Sequence, residues 1–354
     1  MAVVKAVQSG AVSFTAADST KTATITAITT AKSILFFTYS GNTSSNPNDE
    51  LARGTITNTT TLTFTRFAAS NTLQVEWFLV EFSSGVTAQQ GYQASVSTTT
   101  NITVTSVNTA KSWSQISFDA DSYSFDDDIP VSQYLSSSTN LSLQRSGSTT
   151  PVDANWQVIE YDNASVQYSA KSLAVGSTST TLTITAVTTA KTFLQFDFRA
   201  TSSTAATDPQ YFWNAKLSNT TTITFDRNTS GIAHSGTVYA ISISDTIDVQ
   251  RGEKSFAGGD TSLTSAITAV VLARSHVQTI NCKGFVFNSD DSTGGAMTNK
   301  AGIKTKFNST TQLSFVRNTS GQTAKASWET IQWASASRVP DFAPFIFQVA
   351  GVHP

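Results

Sequence analysis

The sequence predicts an all-β protein made of four tandem antiparallel β-sandwich domains of about six strands each. Three observations lead to this fold class. A short phrase recurs four times at domain-sized intervals, alternating runs rich in β-branched residues lie between its occurrences, and polar turns separate those runs. Period-two alternation is the pattern of a half-buried strand. Short strands with turns about every 8 to 12 residues are typical of an antiparallel sandwich.

The recurring phrase ends in Ala-Lys or a variant of it. It reads Thr29-Thr30-Ala31-Lys32, Asn108-Thr109-Ala110-Lys111, Thr188-Thr189-Ala190-Lys191 and Val271-Leu272-Ala273-Arg274. The basic residues lie 79, 80 and 83 positions apart, so each copy is near the lower size limit for a stable core. The predicted units are repeats one to four at 1–83, 84–163, 164–246 and 247–334, followed by an apolar C-terminal tail at 335–354.

Each copy opens with a Val-Gln start and continues into an alternating run, which is predicted to be a strand that ends in the recurring phrase. The starts are Val7-Gln8-Ser9-Gly10, Val166-Gln167 and Val249-Gln250-Arg251-Gly252, with a looser version from Val86 to Gly91. In the first run, one predicted face holds Ala23, Ile25 and Ala27, and the other holds Thr24, Thr26 and Ile28. The run of copy four, Leu263 to Val277, could pass for a helix alone. Its alignment with three clear strand copies predicts a strand.

Two further runs complete the pattern. One follows a polar turn such as Asn58-Thr59-Thr60 and ends in arginine, at Arg66, Arg145, Arg227 and Arg317. The last is an aromatic strand, with Trp77, Trp156 and Trp328 in copies one, two and four. Copy three is expected to place Tyr239 where the others have tryptophan. Runs around Ser33 to Tyr39 and Leu51 to Thr57 bring the number of strands to about six.

Composition excludes several classes of protein. The net charge is −2 and only 13% of residues are charged, so the chain lacks the basic stripe of a nucleic-acid binder. No basic segment precedes an apolar run, and no stretch of about 20 apolar residues occurs. We therefore expect no signal peptide, no membrane association and synthesis in a cytoplasm. Cys282 is expected to be a small buried hydrophobe rather than a reactive thiol.

The sharpest local feature is an acidic loop from Asp119 to Asp128. Its five carboxylates in ten residues could supply oxygen ligands for Ca²⁺. The spacing is not that of an EF-hand, because no glycine or distal glutamate follows. A solvated acidic loop is therefore the favoured interpretation, and no metal site is predicted.

No catalytic or cofactor-binding residue is predicted, and the chain is expected not to be an enzyme. His234, His276 and His353 lie in no motif that would pair them with a nucleophile or a metal. The recurring basic residues are expected to cover the sandwich rim with their stems while their charges stay in water. These residues are Lys32, Lys111, Lys191, Arg274, Arg66, Arg145, Arg227 and Arg317. The three recurring tryptophans are expected to be core residues rather than sugar-stacking platforms.

Two kinds of segment depart from the repeat. The loop after the third strand varies between copies, at Ser40 to Glu50, Asp119 to Pro130, Arg199 to Gln210 and Asn288 to Lys300. Because the framework residues recur while the sequences of these loops differ, we expect any binding surface to lie in the loops. The tail from Arg338 to Val349 crowds three phenylalanines around two prolines. It predicts docking onto another chain or copy, or packing back onto the fourth domain.

The repeat pattern resembles one found in structural proteins of tailed bacteriophages. The residues that carry this resemblance are Val-Gln-x-Gly, Thr-Ala-Lys-Ser, Asn-Thr-Thr-Thr-Leu-Thr-Phe-x-Arg and Trp-x-x-x-Glu-Phe, over residues 7 to 334. The match is fullest in copy one, and six strands ending in an aromatic strand also resemble the H-type lectin sandwich. The resemblance implies a non-enzymatic virion component on the head, collar or tail, made in the host cytoplasm.

Two functions from different classes follow as expectations. The first is a virion structural protein that contacts other virion proteins of the capsid, collar or tail and forms a homo-oligomer. The alternative is a carbohydrate-binding adhesin that recognises a host surface glycan through its variable loops. Neither a cofactor nor a nucleic-acid or membrane partner is expected.

Overall fold

The computed structural model describes residues 2–41, 47–123, 127–201, 212–227, 230–245, 247–280, 287–288, 302–321 and 323–334. Copy one contains β1 (Val3–Phe14), β2 (Thr20–Thr24), β3 (Ser33–Gly41), α1 (Pro47–Glu50), β4 (Arg53–Asn58), β5 (Thr61–Thr65) and β6 (Leu73–Ser84). Copy two contains β7 (Val86–Gln93), β8 (Thr99–Thr103), β9 (Ser112–Ala120), β10 (Ser132–Ser137), β11 (Asn140–Gln144) and β12 (Val152–Tyr161).

The other two copies repeat the same order. Copy three contains β13 (Ala164–Leu173), β14 (Ser179–Thr183), β15 (Thr192–Ala200), β16 (Asn214–Asn219), β17 (Thr222–Asp226) and β18 (His234–Ile243). Copy four contains β19 (Asp248–Phe256), β20 (Ser262–Ala266), β21 (Ser275–Thr279), β22 (Phe287–Asn288), β23 (Lys304–Ser309), β24 (Gln312–Val316) and β25 (Ala324–Gln332). The predicted fold class is confirmed: the chain forms tandem all-β sandwiches of about six strands.

Each copy folds into two three-stranded antiparallel sheets. In the inner sheet the sixth strand lies between the first and third, giving the orders β1-β6-β3, β7-β12-β9, β13-β18-β15 and β19-β25-β21. In the outer sheet the fifth strand lies between the second and fourth, giving β2-β5-β4, β8-β11-β10, β14-β17-β16 and β20-β24-β23. The short β22 adds a further pairing to β25 in the last inner sheet.

The recurring phrase was predicted to end a strand, and this prediction is wrong. In every copy it forms a single 3-10 turn directly before the third strand, at Thr30–Lys32, Thr109–Lys111, Thr189–Lys191 and Leu272–Arg274. The chain has already left the outer sheet, because the N–H groups of Ile25 and Ile28 bond to the turn carbonyls of Thr60 and Thr59, both at 2.9 Å. Ile28 is therefore buried and Ala27 exposed, opposite to the predicted alternation.

The same correction applies to the run of copy four. The predicted single strand from Leu263 to Val277 is divided between β20, the turn Leu272–Arg274 and β21. The helix alternative is not formed there beyond that one 3-10 turn.

Within the inner sheets, the third and sixth strands are buried on both faces over most of their length, whereas the first strands are partly exposed. One face packs on the outer sheet of the same copy, as Leu35, Phe37 and Trp77 do with Leu62 and Phe64 in copy one. The other face belongs to a second cluster that all four copies share. All nine residues of β3 and all nine of β9 are consequently buried. In β3 this two-sided burial accompanies a continuous apolar run from Ile34 to Phe37.

Aromatic side chains from all four copies meet in that shared cluster. Trp333 of copy four lies 5.2 Å from Phe82 of copy one, 6.0 Å from Tyr161 of copy two and 5.8 Å from Phe193 of copy three, measured between ring centroids. Trp113 of copy two packs edge-on against Phe193 at 5.7 Å. Each of these five residues is at most 1% exposed. The four copies therefore share a central core, in addition to the interiors of the sandwiches.

The copies close into a ring. The fourth strand of each copy packs on the inner sheet of the next, with β4 on β9 and β12, β10 on β15 and β18, β16 on β25, and β23 on β3 and β6. The last of these contacts joins copy four back to copy one, where the Val4 N–H also donates to the Ala334 carbonyl at 3.1 Å. Head-to-tail contacts that close in this way make a ring instead of a filament.

The recurring phrase marks the joints of this ring. Each 3-10 turn contacts the first strand of the next copy: the pairs are Thr30–Lys32 with β7, Thr109–Lys111 with β13, Thr189–Lys191 with β19, and Leu272–Arg274 with β1. In copies one and three the basic side chain bonds to a carbonyl at or just after the end of its own sixth strand. Lys32 Nζ donates to Ser83 at 2.8 Å and Lys191 Nζ to Ser244 at 3.3 Å.

The Val-Gln start braces each sandwich through its glutamine. The Gln8 amide donates to the Thr26 carbonyl at 2.9 Å and accepts from the Thr26 N–H at 2.7 Å. The equivalent pairs are Gln89 with Thr105, Gln167 with Thr185 and Gln250 with Thr268. The start of copy two is thus regular in structure, because Gln89 occupies the same place.

A glycine opposite each recurring tryptophan is required by close packing. Gly10 pairs with Trp77 across β1 and β6, and a Cβ on Gly10 would lie 2.7 Å from the indole Cζ2. Gly91 and Gly252 face Trp156 and Trp328 in the same way.

Replacing Gly10 with alanine should therefore destabilise the fold. We expect a loss of about 1–3 kcal/mol in the free energy of unfolding, because the buried indole must move to admit a methyl group. Gly176→Ala is the control, since nothing lies within 4 Å of a Cβ at that position. Urea denaturation measures both variants, and equal midpoints for the two would contradict the prediction.

Copy three departs from the predicted alignment by one position. Gly10 pairs with Trp77 in copy one, and its equivalent in copy three, Ser169, pairs with Val238. Val238 therefore holds the tryptophan position, and the prediction that Tyr239 does so is wrong. Tyr239 points to the opposite face of its sheet, because side chains alternate along a strand.

The missing indole volume in copy three is supplied from another part of the sandwich. Trp213, just before β16, packs against Phe196 at 5.1 Å and Phe225 at 5.4 Å between ring centroids. Gly236 makes room for it, since a Cβ there would lie 2.7 Å from the Trp213 ring. A tryptophan therefore fills this core from the chain just before β16 and not from the aromatic strand β18.

Candidate functional site

The four recurring arginines are buried, which corrects the prediction that their charges stay in water. Each is 1–2% exposed. Arg66 donates from Nε to the Asp18 carbonyl at 2.8 Å, from Nη1 to Asp49 at 2.7 Å and from Nη2 to Thr15 at 2.9 Å. Arg227 binds backbone carbonyls in the same way, and burial lowers its pKa to about 10. The arginines thus hold the loop carbonyls at one end of each sandwich.

Two of the three recurring tryptophans are buried core residues. Trp77 is 6% exposed and Trp328 is 5% exposed, which confirms the prediction for these two. Trp156 is only partly buried and packs against the same core cluster.

The acidic loop is not uniformly solvated, so the favoured interpretation needs correction. Asp119 is 1% exposed and accepts two hydrogen bonds from Arg53 Nε of copy one, at 3.0 and 2.9 Å. Burial raises the pKa of Asp119 to about 7, against the opposing effect of Arg53. Asp128 is also buried and accepts from the Thr149 N–H at 3.0 Å. Residues 124–126 of this loop lie outside the described residues.

Two of the three histidines lie in the core. His276 accepts a hydrogen bond at Nδ1 from Trp333 Nε1 at 3.1 Å and stacks on Phe36 at 3.9 Å. His234 lies 3.0 Å from Arg227 through Nδ1. Burial, reinforced by the Arg227 charge, lowers the pKa of His234 to about 3. His353 and Cys282 lie outside the described residues.

The neutral form of His234 should make stability depend on pH. Its folded pKa lies below the ordinary value of 6.5, so the folded state binds fewer protons than the unfolded state. Its contribution is full above about pH 6.5 and is lost as the pH falls towards 3. Between pH 7 and pH 4.5 we expect a loss of about 2–3 kcal/mol.

Urea denaturation of wild type and His234→Gln at pH 7 and pH 4.5 measures this effect. The variant removes the titration, so acidification should shift the stability difference in favour of the variant by that amount. An unchanged difference at the two pH values would contradict the prediction. Comparing the two chains cancels the contribution of other titrating carboxylates such as Asp119.

The variable loops are described only in part. Residues 42–46, 202–211 and 289–301, and the tail 335–354, lie outside the described residues. In the parts that are described, the loops of copies one and two meet, because the Asn48 N–H donates to the Ser122 carbonyl at 3.0 Å. Within the described ranges, no group of three or more His, Cys, Asp or Glu side chains is arranged to hold a metal ion. No helix there is long and apolar enough to cross a membrane.

We call the contacts between consecutive copies junctions. Their side-chain chemistry differs from one junction to the next. At junction 1/2, between copies one and two, the edge of β3 is covered by two glutamines of copy two. The Leu35 N–H donates to Gln157 Oε1 at 3.0 Å, and Gln115 Nε2 donates to the Leu35 carbonyl at 3.0 Å. Side-chain amides thereby satisfy backbone groups that an edge strand would leave unpaired.

Junction 3/4 uses the same framework with a charge in it. The Leu194 N–H donates to Glu329 Oε2 at 2.9 Å, and Gln278 Nε2 donates to the Leu194 carbonyl at 2.9 Å. Glu329 is 2% exposed, and burial raises the pKa of its carboxyl group. Arg251 Nε faces that carboxylate at 3.3 Å.

The other two junctions are aromatic. At junction 2/3, the Tyr239 hydroxyl accepts from the Leu135 N–H at 2.8 Å, and Tyr134 stacks on Tyr168 at 5.5 Å. At junction 4/1, Phe78 meets Phe307 edge-on at 5.8 Å between ring centroids. The chemistry therefore alternates around the ring.

A cleft opens at junction 3/4. Its volume is about 470 Å³, and it is lined by Ala215, Lys216, Leu217, Ser218, Arg251, Gly252, Glu253, Ile280, Ser327, Trp328 and Glu329. The matching space at junction 1/2 is only about 10 Å³. There Gln90 Nε2 bridges to the Ile56 carbonyl at 2.7 Å. Its equivalent at junction 3/4, Arg251, turns instead to Glu329 and the Thr189 carbonyl.

A larger and shallower groove lies on copy three. It measures about 790 Å³ and is lined largely by the linker at 162–165, the segment 185–188 and the end of β18. Gln167 and Lys191 are the polar side chains at its border that also serve the framework.

A scan against models of protein families finds no match, and a search of curated proteins finds no similar sequence. The candidate site therefore stands on its own geometry, and sequence reasoning did not point to it.

Proposed function

We propose that this chain is a non-enzymatic structural component of a tailed-bacteriophage particle, displayed on the head, collar or tail. The observation that carries the proposal is the closed ring. In this ring every copy packs one surface against the copy before it and another against the copy after it. The resemblance of the repeat pattern to phage structural repeats supports the same role. A ring with one shared core makes a stable module for display on a particle.

Labelling of intact particles tests this proposal. Gold-tagged antibody against the chain should mark a fixed position on the head, collar or tail of purified virions. Sedimentation of the purified chain would measure the proposed homo-oligomer in the same study. Virions without label, from cells in which the chain is abundant, would contradict the proposal.

A carbohydrate-binding adhesin is the second candidate, and the cleft at junction 3/4 favours it. A concave site with a few polar groups is the usual form of a small-ligand pocket. A glycan array separates the two functions, because a purely structural component should give no specific signal.

A further inference from the structure

We propose that the cleft at junction 3/4 binds a single hexopyranose unit of a glycan. The inference rests on the second candidate function and names its site. The volume of about 470 Å³ falls within the usual range of about 300–1,000 Å³ for small-molecule pockets.

The cleft is a local departure from a framework that is otherwise closed. Ala215 and Glu329 stand where Gly54 and Gln157 stand at junction 1/2. The framework contacts of Leu194 are kept at junction 3/4, so the cleft arises without loss of the clamp that joins the two copies. The open space therefore comes from the side chains around it, above all from the redirected Arg251.

Both hydrogen-bond donors and hydrogen-bond acceptors border the cleft. Lys216 Nζ and Glu253 Oε2 form an ion pair at 2.8 Å, and both side chains are about one-third exposed, so they lie on the side open to solvent. Ser327 lies at the buried side and is 2% exposed. Its Oγ has no hydrogen-bond partner among the described residues. A carboxylate, an ammonium group and an unpaired hydroxyl together match a ligand whose hydroxyls both donate and accept.

Apolar side chains complete the lining. Leu217 and Ile280 offer carbon surface beside the polar groups. A sugar ring combines C–H faces with a rim of hydroxyls, so it can use both kinds of surface. A simple anion would leave the Glu253 carboxylate opposed to it, and a purely apolar ligand would bury Ser327 Oγ unpaired.

Saturation-transfer NMR of the full chain with free glucose, galactose, mannose and N-acetylglucosamine tests the proposal. At least one sugar should bind saturably with a dissociation constant on the order of 1 mM, as expected for so small a ligand. Glu253→Gln should weaken that binding about tenfold, because it removes a charged acceptor. Ser327→Ala should weaken it as well.

The control is Glu76→Gln, which breaks the ion pair of Lys306 with Glu76 at 3.2 Å at junction 4/1, as Glu253→Gln breaks those of Glu253 with Lys216 and with Lys325 at 3.1 Å. It should leave sugar binding unchanged, and thermal melting should show that all variants fold. Absence of saturable binding to any of the four sugars would overturn the proposal. So would binding that survives both cleft substitutions, which would place glycan recognition elsewhere on the chain. Particle labelling does not depend on sugar binding, so it tests the virion role separately.

Discussion

Arg66→Met should lower the free energy of unfolding by about 3–5 kcal/mol, as judged from urea or thermal denaturation. The Arg66 guanidinium is buried and donates to the carbonyls of Thr15, Asp18 and Asp49. Methionine keeps most of the aliphatic volume but donates no hydrogen bond. Three buried or partly buried carbonyls would lose their donor, and each such loss costs about 1–3 kcal/mol.

Lys21→Met is the matched control, because it removes a nearby positive charge with the same replacement. Lys21 pairs with Asp18 at 2.9 Å in a surface ion pair of the type that contributes little. The control should unfold at the wild-type midpoint. Arg66→Met with an equally small effect would show that water replaces the guanidinium at these carbonyls. The equivalent substitution at Arg227 should behave like Arg66→Met, because Arg227 donates to the carbonyls of Ser177, Ala174 and Ile232.

The repeat and the presence of about six strands in each copy could be predicted because they rest on local patterns. Alternation in runs such as Leu62 to Arg66 predicts a half-buried strand whatever the neighbouring copies do. The buried arginines could not be predicted in this way. A basic residue at the end of a strand is usually solvated, and only the turn carbonyls folded around Arg66 make its burial favourable.

One feature of the sequence is explained by the ring and not by the alternation of a half-buried strand. The run Ile34-Leu35-Phe36-Phe37 is continuously apolar, and such a run indicates a strand covered on both faces. A second layer beyond the sandwich was therefore implied. The junction position occupied by Phe78, Gln157, Tyr239 and Glu329 changes character in every copy, although it lies on a framework strand. The loops differ more visibly between the copies, so the sequence alone did not single out this position or the cleft beside Glu329.

Trp333→Ala should weaken all four copies together. Trp333 touches Phe82 of copy one, Tyr161 of copy two and Phe193 of copy three within the shared cluster. Replacing a buried tryptophan by alanine costs about 3–5 kcal/mol. Because the cavity lies where the copies meet, native-state hydrogen exchange should accelerate in the inner sheets of every copy, not only in copy four.

Trp213→Ala supplies the matched comparison. Trp213 is equally buried, but its ring contacts are Phe196, Phe198, Phe225 and His234, all within copy three. The same loss of indole volume there should raise exchange chiefly in copy three. The contrast separates a shared core from four cores that merely touch. If Trp333→Ala accelerated exchange in copy four alone, the copies would be independent domains, and the ring would not act as one cooperative unit.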